Sequence, residues 1–136
     1  MATYNKHNNW VEDMQESVNT GSDSFVVSLL TNANAPTAAN ATLSALTPIS
    51  YTNLSSRVLT TSTSGQTAGT FTLLFADLVL TASGAVATFR WVDIYDDTPT
   101  SPADPLVCYY DYGADVTLAS GETFTLDFTT STYTVT

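Results

Sequence analysis

The stretch from Gly84 to Gly113 constrains this chain more than any other. It runs Gly-Ala-Val-Ala-Thr-Phe-Arg-Trp-Val-Asp-Ile-Tyr-Asp-Asp, crosses a loop punctuated by Pro99, Pro102 and Pro105, and returns as Leu-Val-Cys-Tyr-Tyr-Asp-Tyr-Gly. Phe89, Trp91, Ile94, Leu106, Val107 and the tyrosines at 95, 109, 110 and 112 are bulky β-formers, so the stretch reads as two neighbouring strands. From Trp91 to Tyr95 both faces turn apolar, the signature of a strand covered on each side. The pair is therefore expected at the centre of a sheet with further layers above and below it.

The remaining chain supplies those layers. Ser24 to Thr31 alternates Phe25, Val27 and Leu29 on one side and reads as a strand, as do Arg57 to Ser62 and Thr70 to Phe75. Thr63-Ser64-Gly65 and Ala68-Gly69 read as punctuation. Ala76-Asp77 interrupts the alternation, because Phe71, Leu73 and Phe75 share one face while Leu78 and Leu80 share the other; a bulge or corner is expected there. Ala82-Ser83-Gly84 predicts a hairpin into the central strand. Beyond a turn at Tyr112-Gly113, Val116 to Leu118 and Thr123 to Phe128 predict a last hairpin, and Thr132 to Thr136 an edge. The expected class is mainly β: an antiparallel sandwich or barrel-like domain of about seven to eight strands with one N-terminal α-helix, a single domain over residues 1–136.

Two segments lie outside this β pattern. Residues 3–19 predict an amphipathic helix, with Trp10, Met14 and Val18 at successive turns, carboxylates opposite them and a stop at Thr20-Gly21. Residues 32–45, rich in Ala and Asn around Pro36, predict a long loop or arm.

The charge balance excludes whole classes of partner. Three cations stand against thirteen carboxylates, a net charge of −10. Such a chain has no basic stripe with which to displace counterions from nucleic acid, and anionic lipid repels it. No cationic start leads into an apolar run, so the chain is expected to remain in the cytoplasm that makes it. His7 is the only histidine and Cys108 the only cysteine. Cys108, within an apolar strand, is expected to be buried, and with no second histidine and a buried cysteine neither a zinc site nor a Cys-His nucleophile can be assembled. No catalytic residue, cofactor or enzymatic activity is expected. Asp93, Asp96, Asp97 and Asp104 bracket the proline loop without the spacing of a calcium loop, so no metal site is assigned. The aromatic run from Phe89 to Tyr112 offers the ring types of a sugar-stacking platform, but its alternation favours core and cross-strand packing.

Four blocks carry a family resemblance: the opening Met-Ala-Thr-Tyr-Asn-Lys-His-Asn-Asn-Trp-Val-Glu, Ile49-Ser-Tyr-Thr-Asn-Leu-Ser-Ser-Arg57, Ala76-Asp-Leu-Val-Leu-Thr-Ala-Ser-Gly-Ala-Val-Ala-Thr-Phe-Arg90, and Asp104-Pro-Leu-Val with Tyr110-Asp-Tyr-Gly113. Together they resemble a family of small virion structural proteins of tailed bacteriophages. The resemblance covers nearly the whole chain and implies a particle component, without an active site. A small acidic β domain with a helix and an arm suits a capsid decoration, or cement, protein that is present in many copies, contacts the major capsid protein or other virion proteins, and resides in the virion. Alternatives are a head-tail connector, a tail or baseplate subunit, and a carbohydrate-binding receptor module. Tyr4, Trp10, Met14, Asn34 and Pro36, on the helix and arm, are the candidate interface residues.

Overall fold

The protein is described here by a computed structural model, which covers residues 2–129 and 132–136. Among the described residues there are nine strands and one α-helix: β1 (Thr3–Lys6), α1 (Trp10–Glu16), β2 (Phe25–Leu30), β3 (Thr61–Thr67), β4 (Thr70–Phe75), β5 (Leu78–Thr81), β6 (Phe89–Asp96), β7 (Leu106–Val116), β8 (Thr123–Leu126) and β9 (Tyr133–Val135). The sheets are antiparallel and form a sandwich rather than a closed barrel.

The front sheet has the order β1-β7-β6-β2, so the two strands rich in bulky β-formers are its centre. Across it, Tyr4 pairs with Tyr110, Tyr110 with Val92, and Val92 with Leu29. Because cross-strand partners share a face, these residues look toward the second layer, while Asp93, Tyr109 and Ser28 look the other way. Between Ile94 and Tyr95 the register slips, so that Leu106 opposes Tyr95 while Cys108 opposes Ile94. Val107 is the extra residue of this bulge, and it puts Leu106 and Cys108 on opposite faces. Strict alternation along β7 would place them on the same one.

The back layer contains two hydrogen-bonded sets, β3-β4-β9 and β5-β8. Only Ala76-Asp77 separates β4 from β5, and their partners run antiparallel to them in the same sense, Leu73 opposite Tyr133 and Leu78 opposite Leu126. The layer is thus one long ribbon broken in its middle. At the break Asp77 Oδ1 accepts the Phe128 backbone N–H at 2.8 Å. Here the expected corner is found, with Leu73 and Phe75 buried before it and Leu80 after it. The β3–β4 hairpin closes through Ala68 (φ 50°) and Gly69 (φ 82°), a two-residue turn with both central residues left-handed.

Several expectations are corrected. The helix does not span 3–19: β-formers at its start pair with the open edge of β7, and α1 begins only at Trp10. Tertiary pairing overrides helical periodicity there. Thr63-Ser64-Gly65 lies inside β3, not between strands. The segment from Arg57 to Leu59 lies along the edge of β2, where Val27 N–H donates to the Arg57 carbonyl at 3.0 Å and Leu59 N–H to the Phe25 carbonyl at 2.8 Å. Ala82 to Gly84 makes no hairpin into β6, because β5 pairs with β8. The last hairpin fails for the same reason, leaving Leu118 to accept from Val86 N–H at 3.0 Å. Gly113 (φ 91°) does not end a strand but sits within β7.

The core lies between the layers, around Phe25, Leu29, Leu73, Phe75, Leu80, Phe89 and Ile94. The short helix plugs one end of it. Trp10 is fully buried, its ring edge-on to Phe25 of the front sheet at 6.5 Å and to Tyr133 of the back ribbon at 6.3 Å.

Candidate functional site

A cleft of about 690 Å³ opens where the layers part, between β1 and β7 of the front sheet and the β8–β9 side of the ribbon. It follows from strand count: β1 lies at the front-sheet edge, and β8 and β9 are the last strands of the back layer. Tyr4 and Tyr110 form its floor, edge-to-face at 5.6 Å, and Tyr112 meets Phe124 at 5.3 Å beside them. Tyr4 and Tyr112 keep 42% and 48% of their surface exposed, an unusual share for rings in a concave site. Lys6 and Asp127 also line it. Burial raises the phenol pKa of Tyr4 and Tyr110 well above the usual range, so both remain neutral donors.

The two other cations are engaged elsewhere. Arg90 grips Asp111 through two hydrogen bonds of 2.7 and 2.9 Å. Arg57 stacks on the Tyr51 ring, 3.5 Å from its centroid, and donates to the Val27 carbonyl.

On the opposite face of the front sheet, His7 Nε2 lies 2.8 Å from Asp93 Oδ2, with both side chains fully buried. Backbone pairing delivers His7 to this position, since its N–H donates to Val107 at 3.2 Å just past the end of β1. Its ring leans on Tyr109 at 4.8 Å. Burial holds the Asp93 carboxyl up at about 6, against the opposing pull of the hydrogen bond from His7. His7 Nδ1 and Asp93 Oδ1 have no partner. No surface reaches the pair, so it fastens the N-terminal segment to the central strand and offers nothing to a substrate. Sequence reading placed His7 at a helix start and missed the contact, which joins positions 86 residues apart.

The arm does not project. Leu43 and Leu46 pack on Val26, Tyr95 and Leu106, Leu43 N–H donates to the Asp104 carbonyl and Leu106 N–H to the Ala41 carbonyl, both at 3.0 Å. Two short 3-10 turns, Asn32–Asn34 and Leu43–Ala45, carry it across its own sheet. Of the candidate interface residues, Tyr4 and Asn34 are exposed. Trp10 and Pro36 are buried and Met14 is half-buried against the core. Within the chain the Trp10 ring is packed between Phe25 and Tyr133, and Pro36 is buried as well, so of the five residues Tyr4 and Asn34 offer the most surface.

The carboxylates of the proline loop diverge. Asp93 and Asp96 sit three residues apart on β6 and so point to opposite faces, and among the described residues no three side chains of ligating type converge. Asp96 is itself fully buried; that burial, reinforced by Asp23, holds its carboxyl up at about 7, while the Thr98 N–H donated to it at 3.1 Å acts in the opposite direction. The aromatic run divides likewise: Tyr110 and Tyr112 face the cleft, Phe89 fills the core, and Trp91, Tyr95 and Tyr109 lie on the other face. No platform forms from it alone. The cleft instead recruits Tyr4, Phe124 and Tyr133, which no local pattern connects.

No family model, curated protein or solved structure matches this chain. One sequence signal does mark the arm. Between Asp23 and Arg57 there is no charged residue, although the chain carries a net charge of −10.

Proposed function

We propose that this chain is a non-enzymatic structural subunit of a tailed-phage particle, a decoration protein that seats on the outer surface of the head and stabilises it. The observation that carries this reading is the arm-covered face. Asn32 to Ala35 are exposed on it, and the whole of residues 24–56 bears no charge. Interface cores are depleted of charge in this way. A strongly acidic protein needs such a neutral face if it is to pack closely against neighbours without like-charge repulsion.

Two further features support the reading. The arm is fastened to its own domain, so the face is preformed and ordering it costs little on docking. All thirteen carboxylates fall outside residues 24–56 in the sequence, and their net charge keeps a crowded surface lattice soluble.

Co-sedimentation tests it. Purified protein mixed with DNA-free heads of the phage that encodes it is expected to pellet with heads and not with isolated tails. Ala33→Asp combined with Asn34→Asp places two charges on the neutral face; this variant is expected to melt like the parent and stay in the supernatant. Binding to tails alone, or undiminished head binding by the charged variant, defeats the proposal.

A further inference from the structure

We propose that the cleft between β1–β7 and the β8–β9 ribbon is a binding site for neutral oligosaccharides. The inference goes beyond the particle role, since the cleft opens on the side of the front sheet away from the arm and stays accessible when the arm face is occupied.

The lining dictates the ligand class. At about 690 Å³ the cleft has the size of a small-molecule site, and half-exposed tyrosine rings in a concavity are the feature that a ligand would cover. Tyr4 and Tyr112 present ring faces and hydroxyls together. Lys6 and Asp127 are of opposite sign, so the cleft has no net charge with which to recruit an ion, and the −10 chain repels phosphates and acidic glycans. A wholly apolar ligand would strip water from Lys6 and Asp127 without replacing its hydrogen bonds, which is costly. A pyranose meets each condition: its C–H face stacks on a ring and its hydroxyls bond to an ammonium, a carboxylate and phenols.

An extended peptide is the competing occupant, because β1 and the ribbon each have a free edge. The experiment separates the two. Full-length protein is titrated with maltohexaose, cellohexaose and chitohexaose by calorimetry, and backbone amide shifts are mapped on the wild type. At least one sugar is expected to bind and to shift residues of β1, β7 and β8, with the arm unmoved. Tyr112→Ala should weaken that binding by about tenfold or more, as loss of an aromatic anchor does, and Tyr112→Phe by less. The mapping on wild-type protein decides the matter even if Tyr112→Ala misfolds. The proposal is overturned if none of the three sugars binds, if the shifts map elsewhere, or if the cleft is found covered by a strand from a second copy.

Discussion

The buried His7–Asp93 pair yields the most discriminating prediction, because its two halves respond differently to removal. His7→Ala leaves a carboxylate with no exposed surface and no partner, a change that costs about 3–5 kcal/mol. Asp93→Asn removes the charge and keeps the shape. The Asp93 carboxyl is raised from 3.8 to about 6, which corresponds to about 3 kcal/mol of penalty on its ionised form at neutral pH. That penalty is already net of the hydrogen bond from His7, which pulls the carboxyl down, and the amide escapes it while still able to hydrogen-bond the ring. Asp93→Asn is therefore expected to be at least as stable as the parent at pH 8.

The pH dependence carries the sign. A carboxyl raised in the folded state holds its proton where the unfolded chain has released it, so its stabilising contribution is complete below pH 3.8 and is lost as pH rises through about 6. Asp96, raised to about 7, acts in the same direction. The parent is therefore expected to melt higher at mildly acidic pH than at pH 8, and Asp93→Asn to show a flatter profile. His7→Ala should recover part of its loss in acid, as Asp93 takes up a proton. Urea unfolding of all three proteins across this range measures the difference. If Asp93→Asn costs as much as His7→Ala at pH 8, or keeps the parent's full pH slope, burial is not what governs the pair.

Trp10→Ala should destabilise the isolated domain by about 3–5 kcal/mol, read by thermal melting; unchanged melting with lost incorporation into particles would return Trp10 to an interface. Cys108 has no exposed surface and burial raises its thiol pKa, so native protein should resist a thiol reagent that labels the unfolded chain at once, and rapid native labelling would contradict its placement. Millimolar calcium should leave the melting temperature where magnesium leaves it, since a cation held only by the folded state would raise it.

Much of the fold was legible because local pattern and tertiary role coincide in it. The apolar faces of β6 named the centre of the sheet, and β2, β4 and the β9 edge followed from alternation and turn residues. The failures share one cause. Whether Thr3 to Lys6 is helix or strand depends on the free edge of β7, more than a hundred positions away, and whether β5 turns back to β6 depends on β8. Periodicity ranks the conformations a segment prefers but says nothing of which edge awaits it.

The sites were hidden by the same non-local pairing, though to different degrees. The cleft and the His7–Asp93 contact each join the N-terminal segment to strands far along the chain, and no spacing rule links Tyr4 to Tyr112 or Phe124. The arm face is another matter, because charge is countable without a fold. A chain with thirteen carboxylates that places none between Asp23 and Arg57 has kept one long segment neutral, and Leu43 and Leu46 within that segment supply the apolar contacts that hold it to its sheet. Neutrality there serves burial on the inner side and leaves the outer side, at Asn32 to Ala35, free of the repulsion that an acidic surface would meet at a crowded contact. The signal was in the composition of one window, where an average over the whole chain dilutes it.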